Sequence, residues 1–408
     1  MSKKTIYLDN NASTPVMPEV FEVMKPFLTE HYFNPSAMYD QARVVSQAIE
    51  ASRATVADCL GGVDANEILF TGSATESNNT AIFGAMMAVP GRKHIITTAV
   101  EHPSVLSVCK EAERRGCEVD YIGVDEHGRL NMVEFIKALR TDTLLVSIMH
   151  ANNETGVVFD IAELARLTKE TNKDILFHTD ATQSMGKLRI DLKNDLTNVD
   201  FLSFSGHKIY APKGVGVLYM RQGVPCRPLI YGGHHERGRR AGTYNVCHIV
   251  ALAKACEICV AEQRGGEEYK RIKAMRDRME KELLARIPNT VVNGADAERL
   301  PNTLNLACEY IEGEGILYQL NDFGICASSG SACTSGSLDA SHVLSAMDIP
   351  FTSMHGSVRF SLGRYTTDQE VDALIEVFPG IVKSLRNLSP YWDAEKEEPR
   401  PGSLIGQH

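Results

Sequence analysis

The sequence lacks the features that place a chain in a membrane, in the secretory pathway or on a nucleic acid. It has no run of about 18 apolar residues, the length needed to span a bilayer, and residues 1–9 lack the apolar core of a signal peptide. The formal net charge is −10, and the basic residues form no stripe suited to a duplex. We therefore expect a cytoplasmic protein with no membrane and no nucleic-acid partner.

Cysteine is too sparse for a disulfide-stabilised fold, with 10 in 408 residues. In a reducing compartment, most of these thiols are expected to be buried as small apolar side chains. Cys256 and Cys259 form a C-x-x-C pair, but the surrounding segment is alanine-rich and helical in pattern. We therefore predict helix packing for the pair rather than zinc binding or redox chemistry. The His234-His235-Glu236 run also lacks the spacing of a zinc motif.

The pattern of apolar residues predicts an α/β protein with two domains. Between about residues 65 and 220, short apolar runs alternate with amphipathic segments, which predicts a mostly parallel central sheet covered by helices. After about residue 260, a charged helix and shorter strands indicate a smaller α+β domain. We place the large domain at 16–262 and the small domain at 1–15 and 263–408. The strands expected in the large domain cover 67–70, 94–98, 144–149, 175–178, 201–204 and 216–220.

Three loops that follow predicted strands carry residues suited to an anionic cofactor, since ligands in open α/β sheets bind beyond the strand ends. Residues 71–77 open a helix, where backbone N–H groups and the helix dipole can hold a phosphate; a plain capping turn explains this segment equally well. Asp180 ends an apolar strand and needs a cationic or hydrogen-bonded partner. A protonated pyridine nitrogen is one such partner, and a helix N-cap is the alternative role.

Lys208 follows the next predicted strand, between His207 and the apolar Ile209. An amine condenses with an aldehyde only when it is unprotonated, and burial or cationic neighbours lower the pKa of a lysine. A solvated surface lysine is the ordinary alternative. The order of an anion-binding turn, a strand-end aspartate and a strand-end lysine nevertheless indicates a site for pyridoxal 5′-phosphate (PLP).

The segment 328–337 is a run of small polar residues with Cys333 near its centre. Such a run cannot build a core, so it predicts a flexible loop that presents one thiol. A thiol on such a loop is suited to carry sulfur from a pocket to an acceptor; an incidental loop cysteine is the alternative. Cys326, beside the apolar Ile325, is expected to be structural.

Several motifs together resemble the class V aminotransferases among the fold-type I PLP-dependent enzymes and, more narrowly, the cysteine desulfurases of the NifS/IscS type. The resemblance covers nearly the whole chain, and it implies a fold-type I PLP-dependent transferase. The motifs lie at 7–15, 101–102, 149–156, 180–184, 205–208, 236–243, 328–337 and 359–364.

The resemblance implies a role for each matching residue around the cofactor. Lys208 binds PLP covalently and moves protons at the substrate carbon, and His102 stacks on the ring and exchanges a proton with the substrate thiol. Asp180 pairs with the pyridinium nitrogen and Gln183 with the phenolic oxygen. The residues implied to hold the phosphate are Ala74, Thr75, Ser205 and His207, with Thr243 reaching it from the neighbouring subunit. Gly206 is a further residue implied to bind the cofactor.

The substrate residues and the partners also follow from the resemblance. Asn153 and Arg359 hold the substrate carboxylate, with Asn34 assisting. L-cysteine is converted to L-alanine, and Cys333 takes the sulfur as a persulfide for an iron–sulfur scaffold of the NifU/IscU type. A homodimer is implied because Thr243 acts across subunits. A transient [2Fe–2S] cluster ligated by Cys333 and shared with the scaffold stays open.

Within the family, two segments favour a NifS-like role in nitrogenase iron–sulfur cluster assembly. Residues 239–243, Arg-Arg-Ala-Gly-Thr, match the NifS form, and residues 389–392 depart from the housekeeping tail. A housekeeping IscS-type desulfurase, a selenocysteine lyase and another class V aminotransferase are the alternatives. A non-enzymatic sulfur-accepting scaffold is a further alternative, but it leaves Lys208 and Asp180 without a task.

Overall fold

A computed structural model describes residues 5–329 and 341–400 of the chain. In this part of the chain, the strands are β1 Ile6–Tyr7, β2 Ile68–Thr71, β3 His94–Thr98, β4 Glu118–Ile122, β5 Thr143–Ser147, β6 Leu176–Asp180, β7 Phe201–Ser205, β8 Gly216–Met220, β9 Thr290–Val292, β10 Thr303–Cys308, β11 Ile325–Cys326, β12 Ser357–Ser361, β13 Trp392–Asp393 and β14 Glu398–Pro399. The α-helices are α1 Pro18–Thr29, α2 Asp40–Cys59, α3 Ala74–Ala88, α4 Pro103–Arg114, α5 Met132–Ala138, α6 Ile161–Thr171, α7 Val246–Gly265, α8 Glu267–Arg286, α9 Gly313–Asp322, α10 His342–Ala346, α11 Phe351–His355 and α12 Asp368–Leu388.

A seven-stranded sheet in the order β2-β8-β7-β6-β5-β3-β4 forms the centre of the fold. Strands β4, β3, β5, β6 and β7 are parallel, and β8 runs antiparallel to both of its neighbours, so that β2 again runs with β7. The prediction of a mostly parallel sheet is confirmed. Because β8 alone is reversed, the carboxyl ends of β2, β6 and β7 meet at one edge, together with the amino end of β8.

Both faces of this sheet are buried. Successive residues of a strand join different apolar clusters: Ile95 packs on one side and Ile96 on the other, and Leu176 and Phe177 divide in the same way. Two-sided burial explains why these strands are apolar at nearly every position. The seventh strand, β4, was not predicted because it lies at the sheet edge and alternates exposed or half-buried polar residues with apolar ones.

A second, smaller unit has a core of its own. Strands β12, β10 and β9 form an antiparallel sheet, and apolar residues of α8, α9 and α12 pack with it in one cluster. Leu8, from the N-terminal segment, belongs to the same cluster. The smaller α+β unit is therefore confirmed, whereas the exact domain limits stay a prediction. Helix α7 runs past residue 262, and the chain turns at Gly266, whose φ is +78°.

The remaining expectations for this region concern the C-x-x-C pair and membrane spans. Cys256 and Cys259 are both buried in α7, as predicted for a packing role. Among the residues that the structure describes, no helix is both long enough and apolar enough to cross a bilayer.

Candidate active site

A cavity of about 670 Å³ lies where the carboxyl ends of the central strands meet the smaller unit. Ten of the residues predicted for the site line it, which brings together positions up to 285 residues apart in the chain. They are Ala74, Thr75, His102, Asn153, Asp180, Gln183, Ser205, His207, Lys208 and Arg359.

The turn after β2 and the N-terminus of α3 line one side of the cavity. Ser73 is the N-cap of this helix, and its Oγ accepts a hydrogen bond from the amide of Glu76 at 3.3 Å. Ala74 and Thr75 are the first helical residues, so their amides belong to the turn whose N–H groups have no intrahelical acceptor. A Cβ on Gly216 would lie 2.6 Å from the carbonyl carbon of Ser73. Glycine at the start of β8 therefore allows this turn to lie against the sheet.

Asp180 is the last residue of β6 and is buried. Its Oδ1 accepts from the amide of Thr182 at 2.9 Å, and its Oδ2 accepts from Nδ2 of Asn78 at 2.7 Å. Within residues 5–329 and 341–400, Asp180 forms no ion pair. A buried carboxylate that faces a cavity and has only neutral donors suits a cationic ligand atom.

Lys208 lies in a 3-10 turn directly after β7. Its Nζ donates to the carbonyl oxygens of Asn11 at 2.6 Å and Ala12 at 2.8 Å. The carbonyl of Asn11 also accepts from Nε2 of Gln183 at 3.0 Å. The N-terminal segment thus holds both side chains at the cavity. The sequence contained the relevant signal in the 7–15 motif, but no role for Asn11 was inferred from it.

The two other residues of the β7 turn differ in placement. His207 faces the cavity, and burial followed by the charge of Lys208 lowers its pKa to about 4. Gly206 lies outside the cavity lining, and a Cβ there would meet apolar side chains such as Leu252 at 3.0 Å. Gly206 therefore allows the turn to pack closely against apolar side chains, and only its backbone atoms could contact a cofactor.

His102 is the N-cap of α4 and faces the same cavity. Its Nδ1 accepts from the amide of Ser104 at 3.1 Å and lies 2.9 Å from the Ser104 hydroxyl. Burial lowers the pKa of His102, against the opposing effect of Asp180. The imidazole is therefore neutral at pH 7, with its proton on Nε2.

Arg359 lies in the middle of β12 and is buried. Its Nη1 donates to the carbonyl of Asn153 at 3.0 Å, and its Nη2 pairs with Asp9 at 2.7 Å. Its Nε is buried and has no hydrogen-bond partner among the described residues. Asp9 was missed as a site residue, although it belongs to the 7–15 motif.

Glu154 is a further cavity residue that was not predicted. It is buried, and its Oε2 accepts from the hydroxyl of Ser341 at 2.5 Å. Burial raises the pKa of this carboxyl to about 7. The cavity therefore holds an acid whose ionisation falls in the neutral range.

Two further predicted residues, Asn34 and Thr243, lie outside this cavity. Asn34 and Thr243 line a separate cavity of about 530 Å³, and Oδ1 of Asn34 accepts from the amide of Ser36 at 3.0 Å. Cys333 lies outside the described residues, in the segment 330–340.

These residues fit PLP. The hydroxyl of Thr182 faces the cavity and is buried without a hydrogen-bond partner in the described chain, so the site holds polar capacity that a ligand can use. The first turn of α3 suits the phosphate, Asp180 suits a pyridinium nitrogen, and Lys208 supplies the amine.

Comparisons with known proteins agree with this arrangement. The profile of the aminotransferase class-V family matches residues 6–374. A protein named cysteine desulfurase from Trichormus azollae is 52% identical over 390 residues, covering 96% of both chains. The cysteine desulfurase NifS of Azotobacter vinelandii is 50% identical over 400 residues, 98% of both chains. The solved structure of a NifS-like protein, 37% identical, superposes with a TM-score of 0.87 and covers 93% of this chain and 100% of its own. The chain belongs to the class V aminotransferase family, in its cysteine desulfurase branch.

Proposed function

We propose that this chain is a PLP-dependent cysteine desulfurase, which removes the sulfur of L-cysteine, releases L-alanine and carries the sulfur as a persulfide on Cys333. The observation that carries the proposal is the convergence of Lys208, Asp180, His102 and Arg359 on one cavity. A lysine, a carboxylate, a neutral imidazole and a guanidinium are the groups that an amino-acid substrate and PLP together require.

Each part of the cofactor has a matching group in the cavity. Lys208 binds the aldehyde, Asp180 the pyridine nitrogen and Gln183 the phenolic oxygen. The first turn of α3, with Ser205 and His207, holds the phosphate. When bound, PLP withdraws electrons from the substrate and makes its Cα proton acidic.

The side chains of the protein then orient the substrate and move its protons. Arg359 and Asn153 hold the substrate carboxylate, and Nε of Arg359, which has no partner among the described residues, is one N–H available to it. Lys208 takes the Cα proton and returns it during turnover. Nδ1 of His102 is occupied by Ser104, so its Nε2–H is the group left to donate a hydrogen bond to the substrate sulfur.

Sulfur transfer requires one bond to form as another breaks. The Cys333 thiolate forms an S–S bond with the substrate sulfur while the Cβ–S bond breaks. The electron pair of the broken bond passes to the carbon, and protonation gives alanine. The sulfur remains on Cys333 as a persulfide until an acceptor thiol takes it.

Two measurements test this function. Purified protein should show an absorbance band near the visible edge that is lost in Lys208→Ala. Incubation with cysteine should add the mass of one sulfur atom to the peptide that contains Cys333, and Cys333→Ala should keep the absorbance band but form no persulfide. Cys326→Ala is the matched control and should behave as wild type. Sulfide and alanine production by Cys333→Ala at the wild-type rate would exclude the persulfide mechanism and favour another class V activity.

We propose further that the functional unit is a homodimer. Thr243 lies outside the Lys208 cavity of its own chain, so a phosphate contact by Thr243, or a substrate contact by Asn34, would come from a second copy. Support also comes from exposed apolar side chains on α1, α2 and the segment between them, which are Phe21, Leu28, Tyr32, Met38, Tyr39 and Val44. Exposed apolar side chains concentrated in one segment of the chain would be covered in a dimer interface.

Subunit mixing tests the shared site. Lys208→Ala and Thr243→Ala homodimers are both expected to have low activity, but a mixed dimer has one site with both residues intact. Mixing should therefore restore activity if Thr243 acts across subunits. A failure to restore activity, or a monomer in sedimentation equilibrium, would contradict the proposal.

The acceptor is proposed to be an iron–sulfur scaffold of the NifU/IscU type, and the setting the cytoplasm of a cell that assembles nitrogenase clusters. The NifS form of residues 239–243 supports this assignment over a housekeeping role. The [2Fe–2S] cluster is cargo here, with Cys333 as its transient ligand in the complex. Transfer of labelled sulfur from Cys333 to purified scaffolds of each type tests the acceptor, and comparison of cysteine with selenocysteine tests the substrate.

A further inference from the structure

Asp180 and His102 are joined by two side chains that had no assigned role. Nδ2 of Asn78 donates to Oδ2 of Asp180 at 2.7 Å and to Oγ of Ser104 at 2.9 Å. The same Oγ lies 2.9 Å from Nδ1 of His102. One continuous chain of hydrogen bonds thus connects the two groups that flank the proposed cofactor.

The chemistry of the groups fixes the direction of these bonds. An amide nitrogen of asparagine only donates, so both N–H groups of Asn78 are used, one on a carboxylate and one on a hydroxyl. The amide of Ser104 donates to Nδ1 of His102, so Nδ1 is an acceptor. It therefore also accepts a hydrogen bond from the Ser104 hydroxyl. The chain therefore keeps Asp180 as a hydrogen-bond acceptor and His102 with its proton on Nε2.

The burial of Asn78 argues against an ordinary packing role. Its side chain is fully buried between α3 and the sheet, and its Oδ1 has no hydrogen-bond partner among the residues described. An unpaired buried carbonyl destabilises the folded state, and an apolar side chain at this position would avoid that cost. The two Nδ2 bonds are what the asparagine provides.

We propose that Asn78 is a positioning residue that holds Asp180 and, through Ser104, His102 in the states that the reaction needs. The inference rests on the proposed PLP-dependent function. Asp180 is held as an acceptor for the pyridine nitrogen, and His102 keeps its Nε2–H as a donor toward the substrate. Asn78 itself lies outside the cavity lining.

Three variants of the full-length holoenzyme separate this role from a merely structural one. Asn78→Ala removes both bonds, Ser104→Ala removes only the link to His102, and Asn79→Ala is the matched control. Asn79 is the next residue of α3, and among the described residues its Nδ2 donates to the carbonyl of Thr75 one turn back. The readouts are the absorbance spectrum as a function of pH, the rate of PLP loss on dialysis, and the pH profile of kcat/KM for cysteine.

The expected results differ between the variants. Asn79→Ala behaves as wild type in all three readouts. Ser104→Ala keeps wild-type PLP retention and spectrum, but the acid limb of its pH profile moves to higher pH, because Nδ1 of His102 loses a donor and accepts a proton more readily. Asn78→Ala moves the acid limb in the same direction but less, because Ser104 keeps its hydroxyl and loses only the Asn78 donor that orients it toward Nδ1. It also loses PLP roughly tenfold faster or more, the scale of a hydrogen bond to a charged group.

Two outcomes would overturn the inference. One is that Asn78→Ala matches Asn79→Ala in spectrum, PLP retention and pH profile. The other is that the acid limb of the pH profile does not move in Ser104→Ala. If Asn78→Ala does not fold, Asn78→Ser replaces it; its single hydroxyl proton cannot serve both acceptors, so at least one readout must change. A wild-type protein without the absorbance band would instead reject the proposed function, which keeps the two failures distinguishable.

Discussion

Arg359, which lines the cavity, forms an ion pair with Asp9, 2.7 Å from Nη2 to Oδ1. Asp9 follows β1 and Arg359 lies in β12, so the pair joins the N-terminal segment to the smaller sheet. The carbonyl of Asn153 holds Nη1 at 3.0 Å. The guanidinium is therefore oriented by two fixed partners before a substrate arrives, which lowers the entropic cost of binding a carboxylate.

Replacement of Arg359 by lysine should raise KM for cysteine much more than it lowers kcat. Lysine keeps the charge but lacks the planar set of donors that can meet a carboxylate while bonding Asp9 and Asn153. Loss of hydrogen bonds to charged groups predicts a rise in KM of roughly 10-fold to 100-fold. Steady-state kinetics measure it. Arg278→Lys, at a surface ion pair with Asp368, is the control, and an unchanged KM in Arg359→Lys would contradict the role.

Glu101 should make the folded protein less stable as pH rises. Burial raises the pKa of its carboxyl from 4.5 to about 8, so between these values the folded state holds a proton that the unfolded state releases. Its contribution to the free energy of unfolding therefore falls with pH across this window. One pKa unit corresponds to about 1.4 kcal/mol, which makes the total effect several kcal/mol.

Glu101→Gln tests this linkage through the slope of the free energy of unfolding against pH, not through its absolute value. Glutamine still accepts from Thr98 and Met149, and any cost of its amide group does not depend on pH. The free energy of unfolding measured with urea should therefore change less with pH in the variant than in wild type between pH 4.5 and 8. Glu111→Gln, on the exposed face of α4, should leave the slope unchanged. Parallel slopes for wild type and Glu101→Gln would show that the buried carboxyl does not titrate as expected.

The sequence predicted the parts of this protein whose physical causes are local. Apolar runs such as 201–204 identify buried strands because both faces of the central sheet are covered. Strand β4 was not predicted because it is an edge strand that contains Glu118 and Asp120 and has no continuous apolar run. Lys208 and Asp180 could be proposed because strand ends carry ligands in this class of fold.

The supporting residues could not be found in the same way, because their partners are distant in the chain. Asn78 bonds Asp180, 102 positions later, and Asp9 pairs with Arg359, 350 positions later. In the sequence, Asn78 is an ordinary polar residue of a helix, and Asp9 precedes two asparagines without a motif of its own. Only the fold shows which carboxylate or guanidinium each of them contacts.

Loss of the Arg53 side chain should strongly destabilise the protein. Arg53 is fully buried, and it bonds Glu236 at 2.7 and 3.0 Å and the carbonyl of Ile68 at 2.8 Å. Glu236 has a φ of +49°, a strained conformation for a non-glycine residue that this pair helps to hold. Arg53→Met leaves a buried carboxylate unpaired and should cost about 3–5 kcal/mol. Chemical denaturation measures it. Arg43→Met, at an exposed pair with Asp40, should change little; equal effects of the two variants would contradict the assignment.

Gly216 should be required both for stability and for cofactor retention. A Cβ at this position would lie 2.6 Å from the carbonyl carbon of Ser73 and 2.9 Å from the carbonyl oxygen of Phe204, and backbone atoms cannot rotate away as a side chain does. Gly216→Ala therefore has to displace either β7 or the turn that opens α3, at a cost of about 1–3 kcal/mol.

Because that turn is the proposed phosphate site, the same variant should also lose PLP faster on dialysis. Gly380→Ala is the matched control. It lies within α12 with open space around a Cβ, so alanine should raise stability by roughly 0.5–1 kcal/mol and leave PLP retention unchanged. Urea unfolding and dialysis measure the two effects separately. The contrary result is a Gly216→Ala protein that is destabilised and still retains PLP as wild type does. That result would mean that the backbone moves at β7 and that the turn after β2 does not depend on this glycine.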